Sequence, residues 1–154
     1  MAQLAAAPGT YALILSCTTG RALQIGRFGQ LPMRPGFYVY IGSAFGPGGV
    51  RARIAHHLEP AARPYWHIDF LRTATDLAEV WYTYDLWRWE HQWAALVARM
   101  PGATLLLPGF GASDCTCAAH LYFFATRPSQ RVFYGRVWHA LRGPGVVHVH
   151  DVQS

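Results

Sequence analysis

Lysine is absent from this chain: all thirteen basic residues are arginines, set against eight acidic ones, for a formal net charge of +5. Its positive charge is therefore carried by guanidinium groups, which stay ionised and fork two hydrogen bonds onto a phosphate. That balance suits a nucleic-acid partner. Glutamate is nearly as scarce, with only Glu59, Glu79 and Glu90, so a divalent ion that needs a carboxylate has few places to bind. Three cysteines, Cys17, Cys115 and Cys117, are an odd number with two of them one residue apart. They exclude a disulfide framework and point to a reducing compartment. No apolar run approaches the ~18 residues of a membrane span. Met1 to Pro8 has neither the basic start nor the apolar length of a secretion signal, so a cytoplasmic protein is expected. No segment repeats at a fixed period and none is of low complexity.

What is present fits one domain with a real core, since 52% of the 154 residues are hydrophobic and only 14% are charged. Tyr11 to Leu15 reads as a strand, with Ala22 to Ile25 as its hairpin partner. Arg27 to Pro35 reads as a loop, and Phe37 to Ile41 as a β-branched and aromatic strand. Gly46-Pro47-Gly48-Gly49 then breaks the chain before a helix over Val50–Leu58. Val50, Ile54 and Leu58 form the apolar stripe of that helix, and Arg53 and His57 share a face beside it. A short helix over Tyr65–Leu71, a strand over Glu79–Tyr84 and a helix over Leu86–Met100 follow. Strands over Thr104–Leu107 and Leu121–Ala125 and a last helix over Val132–Leu141 complete the set. Strands come first and helices later, without βαβ alternation. The pattern predicts an α+β fold, a small mixed or antiparallel sheet flanked by helices.

Gly9-Thr10-Tyr11, Tyr40-Ile41-Gly42, Arg53 beyond a glycine-rich turn and a helix headed by Glu90 together resemble the GIY-YIG nuclease superfamily. Threonine replaces isoleucine in the first motif, and the likeness spans roughly residues 9–100. Residues 101–154 are then an extension of the same single domain. Trp66-His67-Ile68-Asp69-Phe70-Leu71 and Phe110 to Leu121 look like an uncharacterised small-domain branch of that superfamily, a Uri-type domain of unknown function. The motif tyrosines stand 29 residues apart, where about ten is usual for a short hairpin. Two motif strands in one sheet, with a hairpin inserted between them, would accommodate that spacing.

The resemblance implies a metal-dependent endonuclease that hydrolyses DNA phosphodiesters. It makes Tyr11 the general base and Arg53 the clamp on the scissile phosphate. Tyr40 becomes a hydrogen-bond donor to phosphate or water, and His57 a proton donor to the leaving group or an orienting group. Glu90 becomes the ligand of a single Mg²⁺ or Mn²⁺. Beside this stand two other readings: a catalytically inactive nucleic-acid-binding domain with the same fold, and a zinc-stabilised interaction domain. Cys115, Cys117 and His120 could supply three zinc ligands, with a fourth from Cys17, His56 or His67. Two small buried cysteines after a Ser113-Asp114 turn are the favoured alternative. His67, Ser113, Asp114, Cys115, Cys117 and His120 are also candidates to line the nucleic-acid groove or to support the metal ligands from behind. His148-Val149-His150-Asp151 reads as a frayed terminus.

Overall fold

A computed structural model describes residues 3–59, 61–112, 117–141 and 146–152. Its centre is a five-stranded antiparallel sheet. The first strand, β1 (Thr10–Cys17), lies between β4 (Gly36–Ser43) and β5 (Asp76–Thr83). β6 (Leu121–Phe124) and β7 (His148–Asp151) form the two edges. Seven of the eight β1 residues are buried, because helices cover both faces of the sheet. That is why β1 reads as a continuous apolar run rather than an alternating one.

Between the two motif strands lies a separate two-stranded sheet, β2 (Ala22–Ile25) with β3 (Gly29–Pro32). Ala22–Ile25 thus pairs with part of the stretch expected to be loop, and not with β1. β1 pairs directly with β4, bringing Tyr11 opposite Gly42 and Leu13 opposite Tyr40. Side chains alternate along each strand, so Tyr11 and Tyr40 fall on the same face as diagonal neighbours.

On that face lie α1 (Gly49–Leu58), α2 (His67–Arg72) and the small hairpin, packed on Leu13, Leu15, Tyr38 and Val80. On the other lie α3 (Glu90–Ala98) and α4 (Gln130–Leu141), packed on Ile14, Val39, Ile41 and Trp81. The first turn of α1 has no side-chain cap; instead Ala7 and Ala5 carbonyls accept the Val50 and Arg51 amides at 2.9 and 3.1 Å. In α1 the buried stripe is Val50, Ile54 and His57, while Leu58 is exposed. The helix is turned by one residue from the expected phase, because His57 finds a polar partner inside.

Three other expectations change. α3 starts at Glu90 and not Leu86, since Leu86 and Trp87 are exposed in the preceding loop. Thr104 forms only an isolated bridge to Phe123, so no strand runs over Thr104–Leu107. His148–Asp151 is an edge strand on β5 and not a frayed end. No helix among the described residues is long and apolar enough to cross a membrane.

Candidate functional site

Tyr11, Tyr40, Arg53, His57, His67 and Glu90 all line one cavity of about 490 Å³. They reach it from β1, β4, α1, α2 and the first residue of α3. The two motif glycines make room for this convergence. The Tyr11 ring lies flat against Gly42, where an added Cβ would collide with the phenol; at Gly9 a Cβ would strike the Thr83 carbonyl. Gly9 also exchanges two backbone hydrogen bonds with Ala44, which locks the β1 entry to the β4 exit. Thr10 is buried, and its Oγ1 accepts the Trp89 amide at 3.2 Å. This bond ties the start of α3, and so Glu90, to the strand that carries Tyr11.

The Tyr11 hydroxyl is 2.8 Å from His57 Nε2, and both groups are buried. Burial, the nearby Tyr40 and the Glu90 carboxylate push the Tyr11 phenol well above its ordinary pKa, against the opposing pull of Arg53. Burial also raises Tyr40, with Glu90 adding to the effect. Burial pulls His57 down to about 3, with His56 next in effect, so its imidazole is neutral at physiological pH. Its Nδ1 meets no hydrogen-bond partner among the described residues, leaving Tyr11 as its one polar contact.

Arg53 stacks its guanidinium 4.9 Å from the centre of the Trp66 ring, and among the described residues no carboxylate forms an ion pair with it. It is thus available to a phosphate. His67 accepts the Gly111 amide on Nδ1 at 2.9 Å and packs on Phe28 and Phe110, so its ring position is set by three contacts. Asp69, two residues on, turns the other way. It binds His56 at 2.9 Å and accepts the amides of Tyr65 and Trp66. Burial raises its carboxyl, yet those three bonds outweigh it and leave the pKa below its ordinary value.

Glu90 is the only carboxylate among the described residues lining the cavity, and its Oε1 stands 3.0 Å from His120 Nδ1. A partly exposed carboxylate with a second oxygen and room for water has the oxygen chemistry that Mg²⁺ or Mn²⁺ requires. Cys117 and His120 do not line the cavity; they gather with His91, which sequence reasoning missed, in a separate cluster. Ser113, Asp114 and Cys115 lie outside the described residues. The suggested fourth zinc ligands are engaged elsewhere. Cys17 is buried beside the Thr19 carbonyl, His56 is held by Asp69, and His67 by Gly111. Tyr65, Trp66 and Ser43 also line the cavity and were not singled out; two exposed aromatics in a loop before a short helix carry no periodic signal.

A family model for a domain of unknown function, DUF123, matches residues 10–142. No curated protein and no solved structure matches the chain.

Proposed function

The chain belongs to the DUF123 family, a domain of unknown function, and for its cavity we propose metal-dependent hydrolysis of DNA phosphodiester bonds. The observation that carries this reading is the convergence of Tyr11, Tyr40, Arg53, His57 and Glu90 on one cavity, from four separate stretches of chain. The same residues carry the likeness to GIY-YIG nucleases.

Arg53 takes the scissile phosphate through two N–H groups and holds the charge that grows on it in the transition state. Tyr40 donates its hydroxyl to a phosphate oxygen. A raised phenol pKa means Tyr11 is not a standing phenolate, so it works by positioning the attacking water. In the tautomer with the proton on Nδ1, His57 Nε2 accepts from the Tyr11 hydroxyl. As a water attacks phosphorus it is oriented by Tyr11 Oη, which stays bonded to His57, and its proton passes to solvent in the cavity, since an imidazole with a pKa of about 3 does not hold it. When the bond from phosphorus to the leaving oxygen breaks on the side opposite the attack, solvent in the cavity delivers a proton to that oxygen. Water has then added hydroxide to phosphorus and a proton to the leaving group. Glu90 would hold the Mg²⁺ or Mn²⁺, which when bound adds positive charge beside the phosphate and acidifies water. Tyr65 and Trp66, 83% and 42% exposed, offer bases a stacking surface at the cavity mouth.

Incubation of the chain with Mg²⁺ or Mn²⁺ and single-stranded, duplex and branched DNA tests the proposal. Cleavage is expected, and Tyr11→Phe, Arg53→Ala and Glu90→Gln each abolish it. The high phenol pKa favours one alternative, a nucleic-acid-binding domain without chemistry. Salt-sensitive DNA binding that survives Glu90→Gln, with no cleavage by the unaltered chain, would select it.

A further inference from the structure

We infer that His91, Cys117 and His120 form a zinc-binding site, outside the cavity and built from different residues. One ligand atom from each lies within 4.8 Å of the other two. His91 Nδ1 is 3.2 Å from Cys117 Sγ. Zinc bonds of about 2.0 Å to nitrogen and about 2.3 Å to sulfur, at a tetrahedral angle, place N and S about 3.5 Å apart. The pair is within a few tenths of an ångström of that spacing. Two imidazoles and a thiolate are borderline-soft donors, which select zinc over Mg²⁺ or Mn²⁺.

The backbone around two of the three ligands is already held. The His120 amide donates to the Phe110 carbonyl at 2.7 Å, and its own carbonyl accepts from Ile41 at 2.9 Å. The Ala118 carbonyl accepts from Gly109 at 2.6 Å. His91, the second residue of α3, closes the set from the other side of a groove floored by Ala94, Ala95 and Ala98. His91 is exposed and Cys117 half-buried, so an ion can enter from solvent. Among the described residues these three supply the ligands, and a tetrahedral ion has a fourth position beyond them. The ion would fasten the segment before β6 onto the start of α3.

The test reads metal and not cleavage, so its failure and the failure of the nuclease reading are distinct results. The full chain, dialysed against zinc-free buffer, is expected to retain about one zinc by elemental analysis. Exchange for cobalt(II) is expected to give a thiolate-to-cobalt charge-transfer band and the visible bands of a tetrahedral site. Cys117→Ala and His91→Ala should each weaken zinc binding by more than the ~10–100-fold typical of losing a partner behind a ligand. Cys17→Ser should leave it unchanged. Should Cys117→Ala fail to fold, the cobalt spectrum of the unaltered chain decides alone. Zinc well below one equivalent with no charge-transfer band overturns the site, as does full zinc retention in both folded alanine variants.

Discussion

The two faces of the central sheet are made by the same strands and bury different chemistry. On one, Tyr11 and Tyr40 meet His57 and a water-accessible cavity. On the other, Trp81 stacks on Phe133 at 5.0 Å and Trp93 meets the same ring edge-on at 4.9 Å, with all three rings fully buried. Period-two alternation lets one strand serve both, so Tyr11 and its neighbour Ala12 belong to different cores. The tryptophan face supplies rigidity, and the tyrosine face uses it to hold polar groups that would otherwise be costly to bury.

The sharpest way to break this division is on the dry face. Trp81→Ala should cost about 3–5 kcal/mol in denaturant unfolding, while under the proposed nuclease function the protein that remains folded should cleave with unchanged dependence on substrate. Arg53→Ala should do the converse. Under the proposed nuclease function its cleavage rate should fall by at least about 10²–10³-fold, equivalent to about 3–4 kcal/mol, with the unfolding midpoint unmoved.

Acid separates the faces next. His57 is neutral when folded, with a pKa of about 3, against 6.5 when unfolded. Its folded pKa is the lower one, so the unfolded chain binds more protons as pH falls below 6.5, and stability drops through that window toward 3. At pH 5 this one group costs about 2 kcal/mol. His57→Gln should flatten the fall in thermal midpoint between pH 6.5 and 5; an unchanged slope would contradict the buried neutral imidazole. Gly42→Ala should cost about 1–3 kcal/mol by overpacking and slow cleavage as well, because its new methyl displaces the Tyr11 ring. Thr10→Val should be mildest, losing about 1 kcal/mol for one hydrogen bond and weakening Mg²⁺ dependence through the freed start of α3.

Much of this was legible in the residues. β1, β4 and α1 announce themselves by β-branched and aromatic runs and a glycine-proline break, and the motif tyrosines fall together as the antiparallel register requires. The insertion between them was legible as a spacing, and Ala22–Ile25 within it as a strand, but its pairing with β3 was not. β3 is four residues, only one of them buried, and it begins in Gly29 and ends in Pro32, so it lacks the pattern of a buried strand. The phase of α1 was misread because hydropathy ranks Leu58 above His57, whereas a buried hydrogen bond to Tyr11 decides which turns inward. His91 left no signal at all. It stands 26 residues before Cys117, and only the docking of α3 against the segment before β6 makes them neighbours.

The inserted hairpin also has a meaning for the chain's entropy. Closing β1 onto β4 across residues 18–35 instead of across about five residues adds only about 1 kcal/mol of loop entropy, because the cost grows with the logarithm of length. Ile25, Leu31 and Met33, buried by that insertion, return more than this at about 1.5–3 kcal/mol for each fully buried side chain. A 29-residue separation along the chain is thus thermodynamically cheap, and it shrinks to a single inter-strand step in space.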